Sequence, residues 1–475
     1  MEPPPAVVRV GILSPIANLD PREAVDSISG MLLGQIYEAP YAVVAGVTNV
    51  RPVLFEPLRE EGRLQYSAAV RQGVFFSDGT PLTADLAVRS LRASKVLASK
   101  THVEVRAGRV WFALLTPNPR FDLWLTETNC SIVLDAGSQL LGTGPFMFDE
   151  RPNLRLLQSA TRVRLVRNPH YQGKTGIHEL EFRVCPAADD GSPRQLIEAL
   201  RNGEIDLTNA LTMADLSRHQ LTSVTPSLQP GNSTGILFFN TERRVLARSD
   251  VRRGIALALD LHDLAATSFD KNPVAFIAAN LLPPLMGRSA GIPYSDRNAA
   301  RHLLEASGAK PSRLSLLVPW APRPYLPKPL PLAHAIQRQL AALDIAVDLC
   351  ETHTSDEFFG DLLRGNYDMA LAGWTADTPD PADYFEALIW SKMCEGPHHS
   401  NHSRWKNGAM DAALARFREH PSDENKREIH RLVREEAPLV PLLYGQSVVV
   451  HSPRLRNVAV SATGVLTLAG VTVAA

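Results

Sequence analysis

The apolar pattern is cleanest between residues 310 and 374. Leu314 to Val318 is a short apolar run that predicts a strand, and Leu332, Ile336, Leu340 and Leu343 then recur at three- and four-residue spacing on one helical face. Ile345 to Leu349 predicts a second strand, Ser355 to Arg364 an amphipathic helix, and Tyr367 to Ala372 a third strand. That last strand contains Met369-Ala370-Leu371-Ala372, which shows no polar alternation and so predicts burial on both faces. Strand and helix alternating with short connections predict a parallel sheet with helices packed on it, and ligands of such sheets lie at the carboxyl ends of the strands. The stretch after Ala372, GWTADTPDP, is therefore where a site is expected.

The N-terminal part reads as shorter pieces. Ala6 to Leu13 alternates as a strand does, Leu19-Asp20-Pro21 breaks it, and Ile28 to Tyr37 has helical spacing. Tyr66 to Phe76 has strand character and runs into a Ser77-Asp78-Gly79-Thr80 turn. A helix is expected from about Thr83 to Ala98, with Thr83 as its N-cap and Asp85 favourably placed against the helix N-terminus. The chain holds 36 prolines, which punctuate it into many short elements, and the cluster between Pro319 and Pro331 reads as an ordered surface loop joining strand to helix.

Composition narrows the function classes. At 475 residues the chain is long enough for about three folding units or one multi-lobed body. Hydrophobic residues make up 45% and charged residues 21%, with no apolar run long enough to span a membrane. The formal net charge of -1 offers no basic field for a nucleic acid. Cys130, Cys185, Cys350 and Cys394 are too few and too scattered for a disulfide scaffold or a zinc site, though a pairing of Cys350 with Cys394 stays open. The opening MEPPPAVVRVGILSP has no basic n-region, so either the protein is cytoplasmic or a leader is missing from this sequence. No nucleophile elbow, phosphate loop or zinc-protease motif occurs, and Gly142-Thr143-Gly144 reads as a short glycine turn.

The remaining candidates each carry two readings. His398, His399 and His402 lie in EGPHHSNHSRW, where two of them could share a metal, but exposed loop histidines are the commoner case and no metal is assigned. Asp380 followed by Pro381 fits an N-cap with proline at the first helical position, a structural role. Asp377 has no capping role in the pattern and divides between a solvated turn carboxylate and a partner for a ligand ammonium group. Trp374 is a core plug or a pocket wall, with core favoured.

Eight segments in order carry a resemblance: VRQGVFFSDGTPLTADLAVRSL, LGTGPFMF, RNPHYQG, NGEIDLT, FFNTERRVLARSDVRRGIALALD, LLPP, ARHLLEASG and YDMALAGWTADTPDPADYF. Together, from about Val8 to Val473, they resemble the family 5 extracellular solute-binding proteins, the oligopeptide, dipeptide and nickel binders of ABC importers. The resemblance implies an α/β fold, a two-lobed clam of the periplasmic-binding-protein type (type II, cluster C-like) with an additional N-terminal subdomain. That subdomain is shortened here, because the segment from Leu91 to Gly142 is trimmed relative to most peptide-binding members. The implied division is residues 1–45, 135–234 and 441–475 in lobe I, 46–134 as a small extra subdomain of lobe I, and 235–440 in lobe II, with ligand enclosed between lobes joined by crossing strands.

By the same resemblance Asp377 matches the residue that pairs with a peptide's terminal ammonium. Trp374, Thr375, Tyr384, Phe239 and Asn240 complete the implied ligand-binding set, although Phe238 and Phe239 also read as core. The implied function is capture of a small peptide or peptide-like ligand by a non-catalytic monomer, without cofactor. Delivery is to an ABC permease and ATPase complex, which is the only membrane contact, in the periplasm or at the cell surface. Two alternatives of the same fold stay open: a cytoplasmic ligand sensor and a recruited enzyme.

Overall fold

Val7–Ile12 forms strand β1, as its alternation predicts, and Val8, Val10 and Ile12 are sealed in the core. A computed structural model of the protein describes residues 6–23, 26–43, 50–137, 139–150, 159–188, 192–221, 224–269, 273–286, 295–376, 378–396, 399–460 and 466–474. Helix α1 (Ser27–Leu33) is capped by Asp26, whose carboxylate accepts from the Ile28 and Ser29 amides. It stops short of the expected Tyr37. The carbonyls of Gln35 and Ile36 are instead taken by the amides of Phe146 and Gly144, which turns the chain out of the helix.

Further along the first unit, β2 (Arg59–Gly62), β3 (Gln65–Ala68), β4 (Thr101–Arg106) and β5 (Arg109–Leu114) build a four-stranded antiparallel sheet in the order β2-β3-β5-β4. The expected strand from 66 to 76 ends at Ala68, and Gly73 turns the chain at φ +76°, a conformation that favours glycine. Helix α2 (Ala84–Ala93) is capped by the Thr83 hydroxyl and ends at Ser94, which breaks the predicted helix and caps a further turn, Lys95–Ala98. This sheet has its own apolar cluster around Phe55, Phe76, Leu91, Phe112 and Phe121. A second, mixed sheet runs β6 (Phe146–Phe148), β7 (Arg162–Arg167), β8 (Glu179–Val184), β1, β9 (Leu207–Thr208), with β8 and β9 parallel to β1.

Contacts divide the chain into two units, Met1–Gln229 with Val448–Ala475, and Pro230–Ser447. Strand β10 (Thr225–Phe239) carries the chain from the first unit into the second. The boundaries fall a few residues from the 234 and 440 read from the sequence. Residues 46–134, read there as a small extra subdomain of lobe I, fall within the first unit, and most of their apolar side chains form a cluster that also takes in Tyr41 and Leu141.

The second unit opens with helix α3 (Ser249–Ala258) and then shows the expected alternation: β11 (Arg313–Val318), α4 (Pro329–Ala341), β12 (Ala346–Glu351), α5 (Ser355–Arg364) and β13 (Met369–Thr375). Strand β11 is parallel to both β12 and β13, while β10 closes against β13 antiparallel. Leu237, Phe239, Met369 and Leu371 pack on one face with α3 and α4. Ile236, Phe238, Ala370 and Ala372 pack on the other with α5, α6 (Pro381–Ile389), α7 (Gly408–Glu419) and α8 (Asp423–Glu436). Helices on both faces are why the β13 sequence lacks polar alternation. The strand β14 (Leu439–His451) returns the chain to the first unit.

Candidate functional site

At the carboxyl end of β13, Trp374 is half-buried and Thr375 exposed, and their backbones pair with Thr234 and Ser233 of β10. Trp374 packs at the margin of the apolar cluster and, with Tyr325, Phe358, Leu362 and His402, lines a small cavity of about 80 Å³. Its carbonyl accepts from the Tyr384 hydroxyl at 2.9 Å. That hydroxyl belongs to a side chain 2% exposed, and burial raises its pKa far above the ordinary tyrosine value. Tyr384 therefore holds the strand end from behind.

The chain on either side of Asp377 is anchored. The Ala376 amide donates to the Asn232 carbonyl at 2.8 Å, and the Thr378 hydroxyl donates to Asp383 at 2.8 Å and accepts from the Asp380 amide at 3.2 Å. Asp377 itself lies outside the described residues. Asp380 caps α6, as its Asp-Pro sequence predicts, by accepting from the Ala382 amide at 2.9 Å. Its second oxygen meets Arg418 of α7 at 3.0 Å.

Phe239 is fully buried in the core. Asn240 is 2% exposed and its amide is committed to backbone: Nδ2 donates to the carbonyls of Gly365 and Tyr367 at 3.1 Å, and Oδ1 accepts from the Glu242 amide at 3.1 Å. It fastens the turn after β10 to the start of β13.

Of the histidines, His398 lies outside the described residues. His399 and His402 stack edge to face with ring centroids 6.3 Å apart, and each keeps one buried ring nitrogen without a partner. His402 is pushed down to about 3 by burial first and by the neighbouring His399 and Arg404 second, so it is neutral at physiological pH. All four cysteines are free thiols, and burial pushes the Cys394 thiol up to about 11.

The first unit holds a polar cavity of about 280 Å³ that the sequence reading missed, lined by Glu38, Arg51, Arg71, Thr143, His170 and Tyr171 among others. It is built by the LGTGPF turn. A methyl group on Gly142 or Gly144 would stand 2.0 or 2.6 Å from the Ile36 carbonyl oxygen, so both glycines allow a backbone approach that no other residue permits. The approach puts Thr143 against Glu38, where its hydroxyl donates to the carboxylate at 3.0 Å. Burial pushes Glu38 up to about 7, against the pull of Thr143, Arg51 and Arg71. The one trace in the sequence is a lone carboxylate directly after the apolar run LLGQIY.

This shift has a measurable sign. A folded-state pKa raised from 4.5 to about 7 means that the folded form binds more protons in that window, so stability falls as pH rises from about 4.5 to about 7. Because the Glu38 side chain opens on the cavity and keeps some exposure, the loss is expected at about 1–3 kcal/mol. Glu38→Gln is expected to flatten this part of the profile and to raise stability above pH 7 by the same amount. Urea unfolding of both forms between pH 4.5 and 8 is the check; parallel profiles would show that Glu38 ionises freely.

Bearing on both sites, the model of the family described as bacterial extracellular solute-binding proteins, family 5 middle, matches residues 49–391. The chain belongs to the family 5 bacterial extracellular solute-binding proteins. The matched span takes in both β13 and the LGTGPF turn. Among curated family 5 relatives, the peptide transport periplasmic protein SapA of Salmonella typhimurium is 25% identical over 391 residues, covering 76% of this chain and 67% of SapA. A dipeptide-binding protein of Pseudomonas aeruginosa is 23% identical over 328 residues, 67% of this chain and 58% of its own length. The chain thus spans between 58% and 67% of the length of these two relatives. The solved structure of HbpA2 from Haemophilus parasuis superposes with a TM-score of 0.83 at 21% identity, covering 99% of this chain and 100% of that one, which establishes the family's two-lobed α/β fold class.

Proposed function

We propose that this family 5 protein captures a small peptide, or a peptide-like ligand with a free amino group, and hands it unchanged to an ABC permease and ATPase complex. It works as a monomer in the periplasm or at the cell surface. The family match over residues 49–391 carries the reading, and the names of SapA, a peptide transport protein, and of the dipeptide-binding protein of Pseudomonas aeruginosa support its ligand class.

In this reading the exposed Thr375 and half-buried Trp374 offer a hydroxyl and an aromatic wall at the strand end, and Asp377 supplies the charge for the ammonium group. Tyr384 supports that strand end from the core, whereas Phe239 and Asn240 are buried at the opposite end of β13, beside Met369 and Tyr367. Peptide backbone groups add affinity with little side-chain preference, and pockets do the selecting.

Calorimetric titration with matched di- and tripeptides, each free and N-acetylated, tests the assignment. Free-amine peptides are expected to bind and their acetylated forms to bind at least ten times more weakly. Equal affinity of the two forms would remove the ammonium contact, and no binding of any peptide at millimolar concentration would remove the peptide reading.

A further inference from the structure

The second unit contains a larger cavity, of about 300 Å³, walled by Ala256 and Leu257 of α3, Leu261, Leu281, Val433 of α8 and Leu439 of β14. At about 30 Å³ per water-sized group, this gives room for roughly ten non-hydrogen atoms. Trp374 and Thr375 are not among its lining residues.

Two arginines, Arg253 of α3 and Arg434 of α8, share that lining. Both are exposed, and among the described residues neither makes a hydrogen bond or an ion pair. The carboxylates near them in sequence are already engaged: Asp250 by Arg248 at 2.6 Å, Glu436 by Arg252 at 3.7 Å, and Glu428 and Glu435 both by Arg431. His430, also in the lining, stacks edge-on against Phe385 with ring centroids 5.3 Å apart. Burial, with Arg434 and Lys426 adding to it, pushes His430 down to about 4, so it stays neutral and the positive charge belongs to the arginines. The Asn280 side-chain oxygen is taken by the Leu282 amide at 2.8 Å.

An apolar hollow with two uncompensated guanidinium groups selects its ligand by exclusion. A neutral apolar molecule would gain nothing from the two guanidinium groups, which stay hydrated at the rim. An ammonium compound would be repelled, and a small inorganic anion would leave the apolar walls unfilled. We propose that this cavity is a second binding site, for an amphipathic monocarboxylate with an unbranched tail of about eight to ten carbons, its tail along the apolar walls and its carboxylate on Arg253 and Arg434. The site is independent of the peptide-binding reading.

The probe is sodium decanoate, titrated calorimetrically into the purified full chain below its aggregation concentration, with decyltrimethylammonium as the charge-reversed control. Decanoate is expected to bind with one-to-one stoichiometry and the control not to bind. The double variant Arg253→Gln, Arg434→Gln should weaken decanoate by about ten- to a hundredfold. It should leave the melting temperature unchanged, since neither arginine holds another group. Ala256→Phe should fill the cavity and abolish binding; if that variant does not fold, the arginine pair alone decides. Absence of decanoate binding, equal binding of the ammonium control, or wild-type affinity in the arginine double variant would each overturn the proposal.

Discussion

Asp377→Asn is expected to weaken binding of a free-amine peptide by about ten- to a hundredfold, the worth of a charge-assisted contact of roughly 1.5–3 kcal/mol. The expectation rests on position. Asp377 follows the buried strand β13 at the end where ligands of parallel sheets bind, and the pattern of GWTADTPDP gives it no capping role, whereas Asp380 caps α6. Its neighbours are tied to backbone and side chain, Ala376 to Asn232 and Thr378 to Asp383, so the substitution keeps its attachment on both sides. Asparagine preserves shape and removes charge, so the melting temperature of the empty protein should barely move. The same variant should lose the preference for free over acetylated peptides, a readout that a merely structural aspartate would not alter. Unchanged affinity together with a large fall in melting temperature would return Asp377 to a structural role.

Arg418→Met is expected to cost about 3–5 kcal/mol of folding stability, because it strips the cation from a partly buried ion cluster and leaves the buried Asp380 carboxylate without its charge partner. The guanidinium of Arg418 reaches Asp380 at 3.0 Å, Asp383 at 2.6 Å and Glu386 at 2.8 Å, and Asp380 is 3% exposed. Burial opposes the arginine's charge, but these three carboxylates outweigh it and hold the guanidinium charged. Without it, three acidic groups in the first turns of α6 face one another, one of them the cap of that helix. A loss of this size in a unit of this length corresponds to a fall of about 10 °C in its melting transition. Arg418→Lys should recover only part, since a point charge cannot serve three carboxylates as a planar fork does. Thermal unfolding near neutral pH decides: a change below about 1 kcal/mol for Arg418→Met would class the cluster with weak surface pairs.

What the sequence made legible was what is decided locally. Met369-Ala370-Leu371-Ala372 declared a strand covered on both sides because each face meets its own helix layer, and Asp380-Pro381 declared a helix start because capping involves residues two or three apart. Pairings set by the fold were not legible. Glu38 and Thr143 are 105 positions apart and Asp380 and Arg418 are 38 apart, so neither pair leaves a spacing to read. Asn240 stood beside a strand end and read as a ligand group, but the carbonyls of Gly365 and Tyr367 that occupy its amide arrive from a distant turn. The extended pattern from 66 to 76 overran because alternation does not register where strand pairing stops: β3 ends at Ala68, and Gly73 then turns the backbone at φ +76°.

Peptide binding without chemistry, the role proposed for this family 5 protein, has two halves. Native mass spectrometry of the purified chain, incubated with a defined mixture of di- to pentapeptides and then released by denaturation, measures both halves at once. One peptide is expected bound per chain, recovered at its starting mass with its amino terminus free. Recovery of cleaved or modified peptide above the rate in buffer, or of no peptide at all, would contradict it.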